Sequence, residues 1–288
     1  GYADYKPNVF EVLKDLGIDT IRVYGAGFEE FNMLSNPDGW ATELKAFLDL
    51  LGNNGVKVVF HEMGDWRYLN SDTHPHARRT TRNPWPFGIA LYDGIASSKA
   101  KIDALAGVNS IGYNFLTDPR IPFWILLNEP FLDTSTDSGV NVLDWVKQIA
   151  DYMRSKGAKV TVGHPSIQHG VYTPSLVLPL YRDRIDYVIF HWYDAGTYSY
   201  IYSGLTSLIN TYKPELGSIP VQNLMIGEIG FERPWSGVTE QIMGDTYKAY
   251  FQASLDAGLG AIFPYVLYDL KNSAETWGAI DSDGNYIT

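Results

Sequence analysis

The chain contains no cysteine, which excludes disulfide staples, thiolate catalysis and cysteine-ligated zinc, and fits an oxidising exterior and a cytosol equally well. It has no run of about 18 apolar residues, so no segment reads as a membrane-spanning helix. Basic residues are in deficit, with Lys+Arg 22 against Asp+Glu 33 and a formal net charge of -11. Nucleic acid and anionic membranes both require a cationic face, so neither is expected as a partner. The opening Gly1-Tyr-Ala-Asp-Tyr-Lys6 lacks the charged-then-apolar form of a signal peptide, and the expectation is a soluble, mature or trimmed chain. No glycine-rich phosphate loop follows any apolar run, which weakens a nucleotide-binding sheet.

What is present is enough for a large core. At 288 residues, 45% hydrophobic and 19% charged, the chain is expected to form one domain over 1–288. Aromatics make up 14% of residues, with 8 Trp and 20 Tyr, more than packing alone requires. Flat aromatic faces in a cleft stack on sugar rings; packing between helices and strands is the competing use.

Apolar spacing predicts a helix from Asn8 to Leu16, with Asn8 as N-cap and Gly17 as C-terminal stop. Further helices are predicted over Trp40 to Leu51, Asp93 to Leu105, Val142 to Arg154, Leu205 to Tyr212 and Gln241 to Ala257. Between them, short apolar runs read as strands: Thr20-Ile-Arg-Val-Tyr24, Val56-Lys-Val-Val-Phe60, Lys159-Val-Thr-Val162, Tyr187-Val-Ile-Phe190, Leu224-Met-Ile226 and Gly260 to Tyr268. The most apolar run is Ile121-Pro-Phe-Trp-Ile-Leu-Leu-Asn-Glu-Pro130, a strand buried on both faces that ends at Asn128 and Glu129. A long polar segment from Arg67 to about Tyr92 carries His74, His76, Arg78, Arg79, Arg82 and Trp85, and loops of that length are usually functional or mobile.

Regular alternation of strand and helix predicts a parallel sheet, either a closed (β/α)8 TIM barrel or an open doubly wound sheet. Polar residues gather at the carboxyl ends of nearly every strand: Arg22, His61, Asn128 with Glu129, His164, His191 with Tyr193, Glu228, and Tyr265 or Tyr268. Barrels build their sites at that face, so the pattern favours the barrel. Its first strand is short, displaced or missing, because only seven residues precede the helix at Asn8. Either 1–5 or the tail 284–288 fills the gap, or the barrel is incomplete, in which case something is expected to cover the open seam.

A carboxylate at the end of a buried strand is costly to desolvate and reads as a candidate general acid. Glu129 and Glu228 both stand there. Two carboxylates in one mouth divide into acid and base, the equipment of glycoside hydrolysis; a separation of about 5–5.5 Å gives retention and about 6.5–9.5 Å inversion.

Leu127-Asn-Glu-Pro130, then His191-Trp-Tyr193, then Ile226-Gly-Glu-Ile-Gly230 resemble clan A of the glycoside hydrolases, closest to family 5, the endoglucanase and mannanase type. The similarity runs from the helix at Asn8 to Trp277-Gly278. It implies a (β/α)8 barrel, retaining hydrolysis, Glu129 as acid/base and Glu228 as nucleophile. By position it implies that Asn128 bonds the sugar 2-hydroxyl, that Arg22 and Tyr193 contact the Glu228 carboxylate, and that His61 and His191 line the cleavage subsite. Where the family usually carries a Trp platform this chain has Pro264-Tyr-Val-Leu-Tyr268, which leaves the platform between Tyr265, Tyr268 and a loop Trp such as Trp235; Trp66 is a further substrate-binding candidate.

The expected protein is therefore a secreted, extracellular endo-β-glycosidase, a monomer needing no cofactor or metal. Its expected substrate is a β-1,4-linked polysaccharide, cellulose or another β-glucan, with mannan as the alternative. Two readings of other classes compete. One is a non-catalytic carbohydrate-binding barrel, the other a metal-dependent barrel hydrolase using His61, His74 and His76. For single residues the competing uses are structural: a mouth salt bridge for either glutamate, charge neutralisation for Arg22, core packing for His61, His164, Trp66, Trp85 and Trp235.

Overall fold

A computed structural model describes residues 9–24, 29–61, 94–128, 136–137, 140–164, 173–230 and 239–264. In chain order these form α1 (Val9–Asp15), β1 (Thr20–Tyr24), α2 (Trp40–Asn53), β2 (Lys57–His61), α3 (Gly94–Leu105), β3 (Trp124–Asn128), β4 (Thr136–Asp137), β5 (Val140–Asn141) and α4 (Val142–Ser155). Then come β6 (Val160–His164), α5 (Pro174–Tyr181), β7 (Val188–Trp192), α6 (Tyr198–Tyr212), β8 (Leu224–Ile229), α7 (Glu240–Ala257) and β9 (Ala261–Pro264). Apart from the short antiparallel pair β4–β5, every observed strand pairing is parallel.

The residues fall into two compact units, one holding β1 to β6 with 184–186, the other α5 and β7 to β9. In the first, β1, β2, β3 and β6 pair in chain order. All five residues of β3 are buried, as expected of a strand covered on both faces. Helix α2 turns Trp40, Leu44, Phe47, Leu48 and Leu51 inward, the spacing of one helical face. Phe47 reaches the Phe60 ring of β2, which stacks on Trp124 of β3 at 5.4 Å. Helix α4 buries Trp145, whose indole N–H donates to Ser98 Oγ of α3 at 3.0 Å.

In the second unit β7, β8 and β9 pair in chain order, and β7 and β8 are buried throughout. Phe190 of β7 stacks on Tyr212 of α6 at 4.6 Å. Helix α7 starts at Thr239, whose hydroxyl accepts from the Ile242 N–H, and stops at Gly258 with φ 73, the left-handed stop that glycine adopts without strain.

Besides the short strands β4 and β5, which were not expected, two helices depart from the sequence reading. Helix α5 was not expected; Pro174 sits at its first position, Pro179 lies inside it, and proline inside a helix normally argues against one. Burial of Val177, Leu178 and Tyr181 supplies what propensity does not. Helix α6 begins at Tyr198 rather than Leu205; its first half, rich in Tyr and Ser and ending in Gly204, has weak intrinsic helicity and so gives little helical signal in the sequence. Among the described residues no helix is long and apolar enough to cross a membrane. The candidates for the first strand, 1–5 and 284–288, the Asn8 cap and the whole 67–92 segment lie outside the described residues.

Candidate functional site

In each unit parallel pairing brings the carboxyl ends of its strands to one edge. In the first unit Arg22 is the third residue of β1, His61 ends β2 and Asn128 ends β3. Arg22 Nη2 donates to Asn128 Oδ1 at 3.1 Å. Asn128 is 6% exposed, so the charge-assisted bond works in a poorly solvated place. With its carbonyl oxygen engaged, the remaining hydrogen-bonding capacity of the amide is largely that of its NH₂ donors. The side chain has room because Gly163 is its neighbour on β6; a Cβ there would stand 3.1 Å from Asn128 Oδ1 and 3.2 Å from the Leu127 carbonyl.

In the second unit Glu228 lies near the end of β8 and is 5% exposed. The Tyr193 hydroxyl donates to Glu228 Oε2. His191 Nδ1 stands 3.6 Å from the same oxygen, on a fully buried imidazole. A hydrogen bond donated to a carboxylate favours its ionised form, offsetting the desolvation that burial imposes.

The backbone beneath these groups is irregular in a consistent way. Along β7 and β8 the register runs Phe190↔Ile226 and then His191↔Glu228, so Gly227 is an extra residue in β8. Along β3 and β6 it runs Ile125↔Thr161 and then Asn128↔Gly163, one extra residue in β3. Bulges of this kind re-aim the side chains that follow them. Only glycine fits at 227, since a Cβ would fall 2.2 Å from Ile189 Cγ2 and 3.0 Å from His191 Nε2.

Of the residues singled out in the sequence, Arg22 and Asn128 meet in one unit, and His191, Tyr193 and Glu228 meet in the other. The contact of Arg22 with Asn128 was not foreseen. Glu129, Trp66, Trp235, Tyr265, Tyr268, His74 and His76 lie outside the described residues, and for His61 and His164 only the strand position is described. Among the described residues no group of three or more His, Asp or Glu is placed to hold a metal ion. The sequence reading missed Gly163 and Gly227; Gly227 was visible only as the residue before Glu228.

The sequence matches no family model and no curated protein. Solved structures do match. A thermostable mutant of a xylanase from Cellvibrio japonicus superimposes with a TM-score of 0.64 at 12% identity, over 98% of this chain and 89% of that one. A hyperthermostable endo-1,4-β-D-mannanase from Thermotoga petrophila gives 0.60 at 17% identity, over 99% and 90%. A native xylanase from Thermotoga maritima gives 0.60 at 12% identity, over 99% and 88%. The chain has the (β/α) TIM-barrel fold, with seven parallel strands among its described residues.

Proposed function

We propose that the chain is a retaining endo-β-glycosidase of clan A type that hydrolyses β-1,4-linked polysaccharide. Cellulose or another β-glucan is the first substrate to test and β-mannan the alternative. The observation that carries the reading is the buried Glu228 carboxylate at the carboxyl end of β8, bonded by the Tyr193 hydroxyl with His191 beside it. That similar folds include xylanases and a mannanase supports it.

In this reading Glu228 attacks the anomeric carbon while Glu129 gives its proton to the departing glycosidic oxygen. Glu129 then takes a proton from water, which displaces Glu228 and restores the original anomeric configuration. Tyr193 keeps Glu228 ionised and aimed. Arg22 turns the Asn128 amide so that its NH₂ faces the sugar 2-hydroxyl, a bond that strengthens as charge develops on the ring. His61, His191, Trp66, Trp235 and Tyr265 complete the proposed contacts with substrate. The chemistry uses carboxylates alone, and the proposed enzyme acts as a secreted monomer with a single catalytic domain.

The test is hydrolysis of a panel of β-1,4 and mixed-linkage polysaccharides by the wild type and Glu228→Ala. Turnover should fall at least about 10³-fold in the variant, with azide restoring bond cleavage as a glycosyl azide of inverted configuration. Full activity in Glu228→Ala sinks the assignment.

A further inference from the structure

Residues 193–197 belong to neither helix nor strand, yet they carry Tyr193. Two side chains of α7 hold their backbone. The Tyr250 hydroxyl donates to the Asp194 carbonyl at 2.6 Å and accepts from the Asp194 N–H at 3.1 Å. The Thr246 hydroxyl does the same for Gly196, donating to its carbonyl and accepting from its N–H, both at 3.1 Å.

The spacing explains the fit. Alternate residues of an extended chain present N–H and C=O on the same side about 6.6 Å apart. Positions i and i+4 of a helix stand about 6 Å apart along its axis. The α7 hydroxyls therefore take the place of a neighbouring strand along a segment that has none. Tyr250 and Thr246 are both fully buried, so water does not compete for these bonds. The Tyr250 ring also meets Trp192, the residue before Tyr193, edge-on at 5.6 Å, and Gly204 of α6 leaves room on Trp192 that a Cβ would narrow to 3.0 Å.

We propose that Tyr250 and Thr246 are positioning residues, whose grip on the backbone at Asp194 and Gly196 keeps the Tyr193 hydroxyl on Glu228. The kinetic consequence rests on the reading of Glu228 as nucleophile; the hydrogen bond does not.

The experiment follows the Tyr193 ring by NMR in protein carrying carbon-13 at the tyrosine hydroxyl-bearing carbon. The resonance is identified by its loss in Tyr193→Phe and by its shift in Glu228→Gln. Tyr250→Phe and Thr246→Val should move it in the direction of Glu228→Gln, whereas Thr246→Ser, which keeps the hydroxyl, should leave it in place. In parallel, Tyr250→Phe should lower kcat/KM about tenfold, the worth of a buried hydrogen bond, with no further loss when added to Tyr193→Phe. An unmoved resonance in Tyr250→Phe and Thr246→Val, or additive kinetic losses, overturns the clamp. If Tyr250→Phe fails to fold, the pair Thr246→Val and Thr246→Ser decides the same question. A protein that hydrolyses no glycoside but whose resonance moves as stated keeps the clamp and overturns the proposed function instead.

Discussion

Single residues set the site. Gly227 is the sharpest case, because the atoms nearest its missing side chain are Ile189 Cγ2 and the His191 ring. Gly227→Ala must displace Ile189 Cγ2, 2.2 Å from the added methyl, at a cost of about 1–3 kcal/mol, and it brings that methyl to 3.0 Å from the imidazole beside Glu228. Thermal unfolding and steady-state kinetics should both register the change; wild-type values in both would mean that the close approach has no consequence. Arg22 is a second case. Its guanidinium reaches Asn128 Oδ1 through Nη2, a geometry that lysine, with one compact ammonium, does not reproduce. Arg22→Lys should therefore lower kcat/KM about tenfold while leaving the melting temperature close to wild type, and a large drop in stability would point to charge neutralisation as its main role.

Elements do what residues alone do not. The strands that lead to Glu129 and contain Glu228 each carry one extra residue close to their carboxyl ends, and α7 supplies the hydroxyls that substitute for a strand beside residues 194–196. Neither device is legible in a single sequence. A bulge leaves no mark on the pattern of a strand that is buried throughout, as β8 is, and the Tyr250 contact joins positions 56 apart. What was legible is what local physics controls. Apolar runs gave the seven parallel strands, helical spacing gave α1, α2, α3, α4 and α7 within a residue or two, and the polar residues that end buried runs, Asn128, His191 and Glu228, are themselves buried. Helix α5 escaped because its two prolines speak against a helix that burial of Val177, Leu178 and Tyr181 nonetheless stabilises.

At the scale of the whole molecule, barrel architecture assigns stability to the amino ends of the strands and site-building to their carboxyl ends. In the first unit the chain entering β3 carries Asp118, with a side chain 0% exposed, bound to Arg120 through Nη2 at 2.6 Å and Nε at 2.9 Å. Arg120 also reaches Asp49 at 2.6 Å, and the Tyr113 hydroxyl donates to Asp118 at 2.9 Å. Burial pushes the Asp118 carboxyl up, but the bonds from Arg120 and Tyr113 outweigh it and hold the group below the usual carboxylate value of 3.8. Its contribution is then fully present above about pH 4 and is lost as pH falls through the depressed folded value. Asp118→Asn should cost about 1–3 kcal/mol near neutrality, since Arg120 keeps only Asp49 as a charge partner, and should flatten the loss of stability on acidification. Chemical denaturation at pH 7 and at pH 3 measures both effects; equal losses in wild type and variant between the two would show that the Asp118 carboxylate adds no stability.

The proposed nucleophile, Glu228, can be trapped directly. A fluorinated, slowly turned-over β-glycoside traps a retaining enzyme as its covalent glycosyl ester, and peptide mass spectrometry locates the ester. A single adduct is expected on the peptide containing Glu228, absent from Glu228→Gln. An adduct on another carboxylate, or hydrolysis with inverted anomeric configuration and no adduct at all, would contradict it.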